Sequence, residues 1–167
     1  SRALAEMLLA EVGLAAGDYT LAPLGGGEGA AALKAGDVDA LVSVSGASAT
    51  WIRDLVADPE VQLVSLDRAP AFSRRHPYLD TVTLYAGVID PAAGLPARDV
   101  QMLAPAAEIV VREDLHPAIQ SLLIEASFAR YSGGSVFAAP GAFPTPDLAD
   151  VELSDEARRY YKDGPTF

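Results

Sequence analysis

Apolar residues recur along the chain in two alternating rhythms. Leu4, Met7, Leu8 and Val12 stand at helical spacing, and Gly13 follows as a stop. Residues 19–24 read as a short strand. Gly25, Gly26 and Gly27 make a turn, and residues 29–35 form an Ala-rich helix stopped by Gly36. Residues 38–44 are apolar and partly β-branched, the mark of a buried strand. Ser48 is placed to cap a helix in which Trp51, Ile52, Leu55 and Val56 share one face, and Asp58-Pro59 ends it. Residues 61–66 supply a third strand. Helix, strand, helix, strand, helix, strand at these intervals predicts an α/β fold with a mostly parallel sheet flanked by helices. A further strand is expected before Ser1, with the chain starting at a crossover helix inside a larger protein.

Beyond Leu66 the rhythm changes. Residues 67–77 are polar and carry Arg68, Arg74 and Arg75. Residues 81–89 are rich in β-branched side chains and read as a strand, 90–96 as a turn-rich loop, and 102–111 as an extended stretch broken by Pro105. Pro117 fits a helix start, with His116 at the cap and Ile119, Leu122, Leu123 and Ala126 on one face. Residues 132–152 are rich in Gly and Pro and predict irregular backbone. Ser154 caps a last short helix reaching Tyr161.

Composition narrows the function classes. The 167 residues carry 12 basic and 23 acidic side chains, a net charge of −11. Such a surface repels phosphate backbones, which argues against nucleic acid as a partner. The basic set is ten Arg and two Lys, and Arg offers a planar fork suited to carboxylates. There is no Cys, which removes disulfides, thiolate catalysis and zinc–thiolate sites together. The longest uncharged run, residues 131–146, is interrupted by Gly and Pro and cannot span a bilayer as a helix.

The chemistry-bearing residues are few. Gly25-Gly26-Gly27-Glu28-Gly29 lacks the Lys-Ser/Thr of a phosphate cradle, and Glu28 would repel a phosphate, so a strand-to-helix turn explains it. Ser43, Ser45, Gly46 and Ser48 lie where a strand ends and a helix begins. In an open α/β sheet, ligands bind at such carboxyl ends, and helix N-termini there favour a ligand carboxylate. Ser1 and Arg2 hold the matching place on the first helix. A capping Ser in a tight turn and a fraying chain end are the plainer readings of the same residues. No G-x-S-x-G surrounds these serines, and His76 and His116 each precede a Pro, which leaves no triad. Two isolated His without Cys make no metal site, and no cofactor is expected. Tyr85, Trp51, Tyr78 and Phe72 are the aromatics placed to line a pocket, with core packing the default for Trp51.

These pieces resemble a known family. Ala31-Ala32-Leu33-Lys34-Ala35-Gly36-Asp37-Val38-Asp39-Ala40 before a strand and a Ser/Gly turn resembles the type II periplasmic binding proteins. More narrowly it is similar to the TAXI family, the solute receptors of TRAP transporters. Asp114-Leu115-His116-Pro117-Ala118, Phe143-Pro144, Leu153-Ser154-Asp155-Glu156-Ala157 and Tyr160-Tyr161-Lys162-Asp163-Gly164-Pro165 look like the C-terminal signature of one subgroup.

The resemblance implies a two-lobed, non-enzymatic receptor. It closes on a small organic anion and hands it to TRAP-type membrane permease subunits. It implies an extracytoplasmic location, with a membrane anchor in the full-length protein. Residues 1–105 would be the α/β ligand-binding second lobe, and 106–167 the return segment and C-terminal helices of the first lobe or its remnant. The cleft would take Ser1, Arg2, Ser43, Ser45, Gly46, Ser48 and Tyr85. The resemblance implies that the family's N-terminal lobe is not among these residues, and the apolar surface it would cover is expected to favour self-association. Three other readings stay open: an effector-sensing domain of a transcription regulator, an enzyme on a related two-lobed fold, and a receptor-like protein without a transport role.

Overall fold

A computed structural model describes residues 2–165. Six helices and two strands follow one another along it: α1 (Arg2–Glu11), α2 (Gly26–Ala35), α3 (Thr50–Val56), α4 (Ala69–Arg75), β1 (Leu79–Leu84), β2 (Val100–Pro105), α5 (Pro117–Tyr131) and α6 (Asp155–Asp163). The fold is therefore a mixture of helix and strand. Its sheet departs from the expected parallel one. Among the described residues it is a two-stranded antiparallel ladder in which Leu79 pairs with Pro105 and Leu84 with Val100.

The three apolar segments at 19–24, 38–44 and 61–66 belong to no ladder. Two of them keep the burial rhythm of a strand. Leu41 and Ser43 are half-buried while Val42 and Val44 are exposed, and Val61, Leu63 and Ser65 alternate likewise with Gln62 and Val64. Only the end of the third reaches the sheet, where Leu66 N–H donates to the Gln101 carbonyl at 2.8 Å. The apolar rhythm reports which face of a segment is buried. It does not report which edge lies beside it, because pairing depends on residues far away in sequence.

Helix ends follow their sequence signals. Gly36 closes α2 in the left-handed conformation, φ 75°, with its N–H bonded to the Leu33 carbonyl. The His116 ring accepts from Ala118 N–H at 3.2 Å, with Pro117 in the first turn of α5. Ser154 Oγ accepts from Ala157 N–H at 3.2 Å at the start of α6. The helix α4 falls inside the stretch read as polar loop. Its signals are present but short: Pro70 at the start, Ala69 and Phe72 one turn apart and buried, Arg74 and Arg75 in the last turn.

The core is thin and rich in small side chains. Leu79, Leu84 and Val100 fill the sheet, Ala69 and Phe72 of α4 cover it, and Ala5, Ala30, Ala32 and Leu55 complete the first part. Gln101 Nε2 donates across the ladder to Thr83 Oγ1 at 2.9 Å. α5 and α6 pack on each other, and among the described elements neither packs on α1–α4 or the sheet. Their seam is aromatic: the Phe128 ring lies 5.9 Å from Tyr160, stacked, and 5.9 Å from Tyr161.

Candidate functional site

Four parts of the chain converge on a cleft of about 340 Å³. Ala3 and Leu4 bring the first turn of α1, Val44 the end of the 38–44 segment, Tyr78 and Leu79 the start of β1, and Pro105 the end of β2. The volume falls within the range of small-molecule clefts. Its lining is mostly apolar. The first turn of α1 holds no acidic residue, and its N–H groups and positive dipole end supply the polar character. Arg2 precedes Ala3 in the chain, and its Nε donates to Glu6 Oε1 at 2.9 Å on the exposed face of the helix. The phenol of Tyr78 stands at the rim, 39 % exposed, against the His76 ring.

The expected ligand residues separate into two groups. Arg2 sits at the start of α1 beside Ala3, and Ser43 and Ser45 flank Val44; the start of α1 and the end of the 38–44 segment meet at the cleft, but its lining is Ala3, Leu4 and Val44 and includes none of Arg2, Ser43 and Ser45. Ser43 is half-buried and Ser45 exposed. Gly46 and Ser48 continue into an exposed turn closed by Ala49 N–H on the Gly46 carbonyl at 3.1 Å. Ser48 does not cap α3. Ala49 holds the cap position without any side-chain bond, and the helix runs for only seven residues. Tyr85 is 60 % exposed and follows the last residue of β1. A strand rise of about 3.3 Å per residue over seven residues puts it roughly 23 Å from Tyr78. Ser1 lies outside the described residues. Leu79 and Pro105 carry no chemical signal in sequence and enter the cleft only through the antiparallel pairing of their strands.

Elsewhere, titratable groups meet in small sets, three of which include a shielded carboxylate. Glu11, at the end of α1, accepts from His76 at 2.7 Å and pairs with Arg75 at 3.4 Å. Lys34 and Asp58 pair at 3.1 Å in an open groove of about 410 Å³ with Asp54, Ala57 and Pro59. The Glu60 amide and then Lys34 hold the Asp58 carboxyl below its usual range. Between α5 and α6, Glu156 accepts from Arg159 Nε at 3.0 Å and from the Ser121 hydroxyl. Arg159 first and Ser121 second bring its pKa down from 4.5 to about 2. A carboxylate so stabilised stays ionised at neutral pH and serves as a structural anion, not as a proton acceptor.

Among the described residues, no group of three His, Asp or Glu is arranged to hold a metal ion. No described helix is long and apolar enough to cross a membrane. Compared with known proteins, the chain matches no family model, no curated protein and no solved structure.

Proposed function

We propose that this chain is the solute-binding subunit of a TRAP-type transporter of the TAXI kind, and that it captures a small organic anion in the cleft beside α1. The observation that carries the reading is the meeting of the α1 first turn with Val44, the neighbour of Ser43 and Ser45, around one cleft. A carboxylate there faces free backbone N–H groups, and the apolar lining takes a short hydrocarbon tail. The order of helices and apolar segments supports a type II periplasmic-binding-protein lobe, in which the segments at 19–24, 38–44 and 61–66 are the strands of a parallel sheet.

In this reading residues 1–105 form the binding lobe and 106–167 the return segment. The ligand favours the closed form by bridging two lobes, with no covalent chemistry. The protein works outside the cytoplasm and passes its solute to membrane permease subunits. It is not an enzyme.

Isothermal titration with a panel of mono- and dicarboxylates and amino acids tests the proposal. Saturable heat from at least one carboxylate, competed by its close analogues, supports it. Absence of heat across the whole panel overturns it.

A further inference from the structure

α1 is held to the rest of the molecule mainly by its last residue. The helix packs on no other described helix or strand. Its one buried residue is Ala5, 5 % exposed. Among the described residues, Arg2 pairs with Glu6 inside the helix, and the side-chain bonds that leave it all start from Glu11, which meets His76 and Arg75. The connection that follows is as free. Residues 12–18 are exposed throughout, and their backbone bonds run to one another or back to residues 8–10 of α1. Gly13, φ 88°, and Gly17 stand in this connection with open space around them.

Both ends of this helix bear on the cleft. Ala3 and Leu4 of its first turn form part of the wall. At its other end His76, the partner of Glu11, sets its ring edge-on to Tyr78 with centroids 5.8 Å apart, and Tyr78 lines the same cleft. A helix with so little buried apolar surface opens at a smaller cost than the body of a fold. An exposed connection at the end of an element is where the backbone absorbs such a rotation. We propose that α1 is a hinged wall of the cleft. It swings out on residues 12–18, carrying Ala3 and Leu4 away from Val44 and Tyr78, and the Glu11–His76 bond is the latch that holds it shut.

Thiol labelling tests this without any solute, so the latch stands or falls separately from carboxylate capture. The chain has no cysteine, and Ala5 in α1 and Ala30 in α2 are equally shielded, each 5 % exposed. Ala5→Cys is expected to react with a maleimide at least about tenfold faster than Ala30→Cys, because α1 opens while α2 stays in place. Adding Glu11→Gln or His76→Ala to Ala5→Cys should speed its labelling about tenfold more, the effect of losing one charge-assisted hydrogen bond. His76→Gln keeps a side-chain N–H for Glu11 and should label nearly as slowly as Ala5→Cys alone. Equal rates at positions 5 and 30 overturn the proposal, and this comparison decides the matter even where a latch variant fails to fold. An Ala5→Cys rate that neither latch variant changes also overturns it, as does a His76→Gln variant that labels as fast as His76→Ala.

Discussion

Glu11 and His76 stand 65 residues apart in sequence and 2.7 Å apart in space. Their bond ties the end of α1 to the end of α4, and Arg75 adds a longer contact to the same carboxylate at 3.4 Å. Glu11 is well shielded, its side chain 14 % exposed, while Arg75 is 69 % exposed. Burial therefore decides which contact matters. Hydrogen bonds to a charged group are worth about 1.5–3 kcal/mol, and an exposed ion pair about 0–1. Urea unfolding of Glu11→Ala is expected to show a loss in the first range, and Arg75→Ala a loss in the second. Equal losses would mean that the His76 bond does not hold the two helices together.

The α5–α6 pair should loosen in acid. The Glu156 carboxyl titrates at about 2 in the folded chain against a usual 4.5. Its folded value is the lower one, so its contribution is complete above pH about 4.5 and fades as pH falls through about 2. Near-ultraviolet circular dichroism of Tyr160 and Tyr161, which flank Phe128, is expected to fall across that window. In Glu156→Gln the fall should be absent, with the signal already reduced at neutral pH.

The loop after α5 depends on one residue without a side chain. Gly134 has φ 82°, and a Cβ on it would meet Pro140 N at 2.8 Å and the Ala138 oxygen at 2.9 Å, both backbone atoms. Gly133 has open space around it. Gly134→Ala is expected to cost at least about 1–2 kcal/mol from the left-handed conformation alone, with the backbone clash added. Gly133→Ala should change stability little, and thermal unfolding of the pair separates the two positions.

In the proposed reading, solute capture depends on the cleft beside α1 and not on Tyr85. Leu4→Trp fills the space beside Val44 and Tyr78 and is expected to abolish carboxylate binding. Tyr85→Ala, at the far end of β1, should leave the affinity unchanged. Titration calorimetry of both variants reads this directly. The reverse pattern would move the site to the other end of the sheet.

The sequence was legible where structure is local. Gly36, His116 with Pro117, and Ser154 each mark a helix boundary, because capping is decided within a few residues. It was misleading at Ser48, where the right residue type stands one position too early and Ala49 takes the cap. α4 was hidden because seven residues with two arginines look like loop until Ala69 and Phe72 are seen to meet the sheet. The antiparallel pairing of β1 with β2 was not legible, nor was the Glu11–His76 bond. Both join residues that no spacing rule connects. Of the cleft, the sequence pointed only to neighbours: Arg2 precedes Ala3 and Ser43 precedes Val44, while Leu79 and Pro105 arrived through that pairing.

The abundance of alanine among the buried residues, Ala5, Ala30, Ala32 and Ala69, bears on how the molecule responds to heat. A methyl group removes little hydrocarbon from water, and the heat capacity released on unfolding tracks that hydrocarbon area. An ordinary chain shows about 12–15 cal/mol/K for each residue, and calorimetry is expected to place this one below that range. Its stability curve is correspondingly flat, so cooling strengthens it little and warming erodes it gradually.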